Sequence, residues 1–338
     1  MRAPDSLHDY LGPRWLPGGN LQTIWPALWS RRHAGPAPVY RRERWTTPDG
    51  DFVDVDFQDA RDPAAPLLVL FHGLEGSSRS HYAEAFAAWA AARGWAFAVP
   101  HFRGCSGELN LAPRAYHSGD HEEVGWMLGQ FARRRRAAGL DGGSRPPIAA
   151  AGVSLGGNAL LRWAEEAGAS AGDSVRAVAS VSAPLDLAAG GAAIGRGFNR
   201  LVYTRMFLAT MKPKALAKLA QHPGLFDAEA LRAARDLYAF DDIFTAPLHG
   251  FAGTRDYWAR ASAKPRLADI RVPALVVNAV NDPFVPGDSL PGPHEVGAHV
   301  TLWQPRHGGH VGFALGLPPG HVTGLPAAVG GWLRDRLE

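Results

Sequence analysis

Ile148-Ala-Ala-Ala-Gly152-Val-Ser154-Leu-Gly156-Gly-Asn158-Ala-Leu-Leu161 is the stretch on which the fold turns. Its first part, Ile148–Val153, reads as a buried strand, and 158–167 has the pattern of a helix. Gly152-Val-Ser-Leu-Gly156 lies between them and matches the G-x-S-x-G pattern of a nucleophile elbow. A serine on so sharp a strand-to-helix turn is held in strained backbone geometry, and its hydroxyl projects above the sheet. Glycines flank it because a Cβ there would collide with the turn or with the next strand. The helix behind it aims backbone N–H groups and its positive dipole end at developing negative charge. In a chain with 39 glycines the pattern arises by chance roughly 0.2 times, so its position between strand and helix carries the reading.

Outward from the elbow, short apolar runs alternate with helical stretches. Strands are expected at Leu67–Phe71, 95–99, Ile148–Val153, Ala177–Val181, 274–279 and Val300–Trp303, with helices at 82–93 and 120–136. Asp120 with Glu123 three residues on marks the start of the second helix. Continuous apolar strands separated by helices indicate a parallel sheet buried on both faces. Ahead of them, 39–45 and 51–57 flank the turn Thr47-Pro-Asp-Gly50 and read as an antiparallel hairpin on the sheet edge. The expected fold is therefore α/β: an eight-stranded, mostly parallel sheet with helices on both faces. Between 186 and 264 the pattern is helical throughout, which predicts a helical cap over the carboxyl ends of the strands, where such sheets bind ligands. The core then comprises 1–185 and 265–338, with an aromatic N-terminal arm at 1–38. That arm reads first as a packed segment, ahead of a membrane-dipping segment or a dimer contact.

The partners of a serine nucleophile are expected in the order acid, then histidine. Asp282 and His310 each lie just past a strand and so on the same sheet edge as Ser154. His310 is the expected base and Asp282 the group that orients its ring. His307 and Asp288 are the alternatives for base and acid. The loop after the strand Leu67–Phe71 supplies the backbone N–H of Leu74, which with that of Leu155 is expected to form the oxyanion hole. His72 is expected to pack beneath that loop. Phe198, Leu201, Phe207, Leu208, Phe240 and Phe244 make the cap apolar and suggest an acyl pocket.

Composition narrows the field. The 35 Lys and Arg residues against 32 Asp and Glu leave a net charge of +3, too small for a nucleic-acid footprint. The Arg133–Arg136 run ends a helix, where cations favour the negative dipole end. One cysteine, Cys105, excludes an intrachain disulfide framework and points to a reducing, cytoplasmic location. No apolar run is long enough to span a membrane, though peripheral membrane contact is compatible with the sequence. Met1 to Leu11 lacks the apolar stretch of a secretory signal. His117 and His121 stand four apart, but Ser118 and Gly119 place His117 in a loop, so no metal is expected. There is no dinucleotide or phosphate-binding glycine motif, and no cofactor is expected.

The segments His72-Gly-Leu-Glu-Gly76, His101-Phe-Arg-Gly-Cys-Ser-Gly107, Tyr116-His-Ser-Gly119, Ser154-Leu-Gly-Gly-Asn158, Asn281-Asp-Pro-Phe284 and His307-Gly-Gly-His-Val-Gly-Phe313 resemble those of α/β hydrolases. The nearer resemblance is to the hydrolase-4 group, with its YheT-like bacterial proteins and eukaryotic abhydrolase esterases and acyltransferases; Gly19-Asn-Leu-Gln-Thr-Ile-Trp-Pro26 is similar to that group's leader. The resemblance spans roughly residues 10 to 320. It implies Ser154 as nucleophile, Asp282 as acid and His310 as base. It also implies hydrolysis of apolar or medium-chain carboxylic esters, with acyl transfer to an alcohol as the alternative. The expected partner is a small ester; oligomeric state is not legible in the sequence.

Overall fold

Eight strands form one sheet in the order β1-β2-β4-β3-β5-β6-β7-β8 in a computed structural model that describes residues 6–140 and 147–337. They are β1 (Arg41–Thr46), β2 (Phe52–Gln58), β3 (Leu67–Phe71), β4 (Ala96–Pro100), β5 (Ile148–Val153), β6 (Ala177–Val181), β7 (Ala274–Val277) and β8 (Val300–Trp303). β2 runs antiparallel to both β1 and β4, and every other pairing is parallel. Strand side chains alternate between two cores: Leu68 and Leu70 of β3 enter one, Leu67, Val69 and Phe71 the other. Helices α3 (His121–Ala137) and α4 (Leu155–Ala167) cover the second core through Met127, Phe131 and Leu160. Helix α2 (His81–Ala91) and the C-terminal helix Gly324–Arg334 cover the first through Phe86, Trp89, Leu325 and Val329. Burial on both faces is why the central strands β3, β5, β6 and β7 are almost continuously apolar, whereas the edge strand β1 is charged.

Three local expectations are corrected. α4 begins at Leu155, directly after Ser154, rather than at Asn158. Its first turn fits against the sheet only because it carries glycines. A Cβ on Gly156 would lie 2.5 Å from the His72 carbonyl oxygen, and one on Gly157 would lie 2.7 Å from Ser180 Oγ. β7 stops at Val277, and the Asn278 side chain just beyond it donates to the Ala183 carbonyl. Asp120 does precede α3, but its carboxylate accepts from Arg114 instead of capping the helix, and Glu123 pairs with Arg103.

Between β6 and β7 all regular structure among the described residues is helical. It runs through α5 (Leu187–Ile194), then Gly197–Asn199, a π turn at Arg200–Thr204 and a helix at Arg205–Gln221, and on to Thr254–Ala261. Leu208, Leu231, Phe240 and Phe244 give this segment a small core of its own. Asn158 ties its end to the sheet: the amide donates to the carbonyls of Ser118 and Ala261 and accepts from Ala263 N–H. The arm packs its aromatic rings on the far end of the chain. Tyr10, Trp15 and Trp25 donate to the carbonyls of Ala314, Gly316 and Pro319, and helix α1 (Gly19–Leu28) lies beside the 308–312 loop.

Candidate active site

Ser154 sits at the turn from β5 to α4 with φ 53°, a left-handed conformation that a non-glycine residue adopts only when its surroundings enforce it. The enforcement is visible. A Cβ on Gly152 would stand 2.4 Å from the Gly156 carbonyl oxygen, so helix and strand cross in near contact. Ser154 N–H donates to Val181 O of β6, which fixes the turn to the sheet.

The structure brings Ser154, Asp282 and His310 together although they are spread over half the chain. Ser154 Oγ lies 3.0 Å from His310 Nε2, and His310 Nδ1 lies 2.9 Å from Asp282 Oδ2. A carboxylate can only accept, so Nδ1 carries the proton and Nε2 is free to accept from the serine hydroxyl. Asp282 is 5 % exposed and His310 8 %. The second carboxylate oxygen of Asp282 accepts from the N–H groups of Phe284 and Val285, so the buried charge is satisfied. The Phe284 ring packs 4.2 Å from the imidazole and limits its rotation.

Neither alternative joins this chain of hydrogen bonds. His307 makes no hydrogen bond to Ser154 or Asp282, and its Nδ1 is buried without a partner. Asp288 is exposed on the short turn Gly287–Ser289.

The loop after β3 presents Leu74 beside Ser154. Gly73 N–H donates to Tyr82 Oη, and Glu75 N–H donates to Tyr116 Oη, whose own proton goes to the Glu75 carboxylate. The amides on either side of Leu74 are thus engaged. Those of Leu74 and Leu155 meet no acceptor among the described residues and are free for a ligand. His72 lies fully buried beneath the loop, bonded to Gly73 O and accepting from Phe102 N–H; burial holds its pKa down to about 3, so it is neutral.

Sequence reasoning missed the support beneath His310. Thr23 Oγ1 on α1 accepts from His310 N–H and donates to Gly19 O. Gln22 accepts from Gly308 N–H and from the Asn281 amide, and Asn281 in turn accepts from Gly309 N–H. The α1 backbone packs so closely that a Cβ on Gly312 would stand 1.8 Å from Gln22 O. The signal was present as the Gly-Asn-Leu-Gln-Thr leader, but nothing in its spacing pointed to residues nearly 290 positions away. Tyr82, Tyr116 and Ser182, which accepts from Val311 N–H, were missed for the same reason.

A cavity of about 120 Å³ opens on Ser154 and His310, lined largely by Leu187, Ile194, Phe207, Met211, Leu237 and Phe284. A second, of about 70 Å³, shares Leu74, Leu155, Met211, Asp241 and Tyr257 with it and is lined also by Phe240 and Phe244. Of the six cap residues singled out from sequence, only Phe207 lines the serine's cavity. Leu208 is buried in the helical segment's own core, and Phe198 and Leu201 face outward. His117 lies in a loop with its ring 4.6 Å from that of His249, and no trio of His, Cys, Asp or Glu among the described residues is arranged to hold a metal. Cys105 is partly buried against the core, and desolvation pushes its thiol up to about 12.

The family described as alpha/beta hydrolase fold matches residues 66–317. The Escherichia coli (strain K12) protein named "Putative esterase YheT" is 38 % identical over 337 residues, covering 98 % of this chain and 95 % of its own. Mouse "Phospholipase ABHD3" is 27 % identical, over 89 % of this chain and 76 % of its own. Among solved structures, the Pyrococcus furiosus esterase Pf2001 superposes with a TM-score of 0.54 at 16 % identity, covering 90 % of this chain and 97 % of that one, which is a likeness of fold.

Proposed function

The chain belongs to the α/β hydrolase family, and from that premise we propose that it is a serine carboxylic-ester hydrolase acting on apolar or medium-chain acyl esters. The observation that carries the proposal is the unbroken relay from Ser154 Oγ through His310 to Asp282 at the floor of an apolar cavity.

In this reading His310 Nε2 takes the proton of Ser154 as Oγ attacks the ester carbonyl. Asp282 keeps the ring in the reactive tautomer and stabilises the imidazolium. The oxyanion is received by the N–H groups of Leu74 and Leu155, with the α4 N-terminus behind them. His310 then passes its proton to the leaving alcohol. Water, activated by the same histidine, releases the acid from the acyl-enzyme. The helical segment 186–264 serves as the cap, and its inward residues Ile194, Phe207 and Met211 receive the acyl chain. The single cysteine goes with a cytoplasmic location.

Hydrolysis of a p-nitrophenyl ester series from acetate to laurate, by wild type and Ser154→Ala, tests the proposal. Wild type is expected to turn over the series, with an optimum that reports cavity depth. The variant should keep its fold and lose activity by at least about ten-thousandfold. A variant that retains a few per cent of the rate, or a serine that no fluorophosphonate labels, removes Ser154 from the mechanism. An added alcohol that yields a transferred ester would instead identify acyl transfer from the same acyl-enzyme.

A further inference from the structure

The helix that roofs the serine's cavity has a second face. Phe207 and Met211 point into the cavity, whereas Phe198, Leu201 and Met206 on the same segment are 51 %, 65 % and 52 % exposed. Three large apolar side chains exposed within nine residues are far more than scattered surface hydrophobics provide. Beside them runs a groove of about 720 Å³ whose lining includes Arg200, Arg205, Lys212 and Arg235 along with Leu201 and Leu208, and no carboxylate.

The charge around this face is one-sided. From 187 to 226 the chain carries six Lys and Arg residues and no Asp or Glu, of which Lys214 pairs with Glu75 and Lys218 is buried; from 10 to 42, the stretch that includes α1, it carries five and none, of which Arg32, Arg41 and Arg42 are ion-paired elsewhere. These two stretches touch: Tyr203 Oη donates to Asn20, and Ile24 packs on the same cluster of Ile194, Tyr203 and Phe284 as Val202 and Phe207 do. The side chains of Arg196, Arg200, Arg205 and Arg235 form no ion pair with any described residue. For a chain whose net charge is only +3, this is a concentration of unneutralised cations around exposed apolar groups.

We propose that the outward face of the segment 197–212, with Arg235 beside it, is a docking surface for an anionic phospholipid membrane. Its arginines would meet the lipid phosphates, and Phe198, Leu201 and Met206 would enter the acyl boundary. An apolar strip flanked by basic residues is the pattern of an interfacial helix. Each cation near a negatively charged leaflet strengthens binding roughly fivefold. A nucleic acid would use the cations but leave the three apolar side chains in water. No helix among the described residues is long and apolar enough to cross a bilayer, so the contact proposed is peripheral. Docking there would set the roof of the cavity against the surface on which lipid-like esters reside. The proposal does not depend on the serine chemistry.

Flotation of the full chain with vesicles tests it, comparing phosphatidylcholine alone with phosphatidylcholine containing about 30 mol % phosphatidylglycerol. The protein should float with the anionic vesicles at low salt and remain behind with the neutral ones. The double variant Arg200→Glu/Arg205→Glu should lower the bound fraction at least about tenfold, and Leu201→Ser should weaken binding that survives high salt. Both should hydrolyse a soluble ester as wild type does, since neither touches the cavity, and Ser154→Ala should float like wild type. Equal binding to both vesicle types, or binding indifferent to charge reversal, overturns the proposal. Displacement from vesicles by millimolar inorganic phosphate would show a free-phosphate site and overturn it as well.

Discussion

Asp241 is the residue whose ionisation is most exposed to test. Its carboxylate stands where the two cavities meet, accepting from Thr245 Oγ1 and Trp258 Nε1. Burial raises its pKa from 3.8 to about 6, and those two hydrogen bonds offset only part of the rise. Between about pH 4 and 6 the folded chain therefore holds a proton that the unfolded chain releases, and stability falls as pH rises through that window. Asp241→Asn should remove this loss. Its melting temperature relative to wild type should be higher at pH 7 than at pH 4, by the equivalent of about 2–3 kcal/mol in differential scanning calorimetry. A difference that does not change with pH would mean that Asp241 ionises normally. Residues of this kind are legible in the sequence only as charges within a helical stretch. Whether a carboxylate meets water or a cavity is decided by what packs against it.

At the scale of elements, a buried lysine ties the helix Arg205–Gln221 to the loop that follows β4. Lys218 donates to the carbonyls of Asn110 and Ala112 and to the Gln221 side chain, and burial lowers its pKa to about 8. Lys218→Met preserves the alkyl volume but leaves the Asn110 carbonyl without its donor and the Ala112 carbonyl with only the Asn110 amide. It should cost about 2–4 kcal/mol in urea denaturation, with the 109–115 loop losing hydrogen-exchange protection first. The element that forms the elbow is constrained by space instead of charge. Gly156→Ala would set a Cβ 2.6 Å from the Phe71 carbonyl oxygen and 2.5 Å from that of His72. The variant should lose about 1–3 kcal/mol and, because Leu155 N–H and the Leu74 loop must separate, lose activity as well. Strands and elbow were readable because a buried parallel strand has to be continuously apolar. Element ends were less so, since hydrogen bonds such as that of Asn278 to Ala183 O arise only in the folded chain.

Over the whole molecule, the two ends of the chain meet beneath the serine's partner histidine. Thr23 and Gln22 in the arm bond the 308–310 backbone, and Trp15 and Trp25 anchor the arm to 316 and 319. Thr23→Val removes the oxygen that accepts from His310 N–H with little change in shape. It should lower kcat about tenfold while leaving KM and the far-UV circular dichroism near wild type, because it misplaces the imidazole without altering the cavity. A change confined to KM would show that α1 shapes substrate binding instead.

The sequence alone determined the eight strands, the antiparallel edge hairpin and the helical stretch before β7, and it offered Ser154 with an acid and a histidine at later strand ends. These follow from local periodicity and from residue types at strand ends, which the chain states residue by residue. Tertiary structure decided which histidine faces Ser154 and what holds it there. It also decided which of the cap's aromatic side chains turn inward. A helical pattern gives a face but not its neighbour, and the π turn at Arg200–Thr204 shifts that face partway along, so that Phe198 and Leu201 meet water while Phe207 meets the cavity.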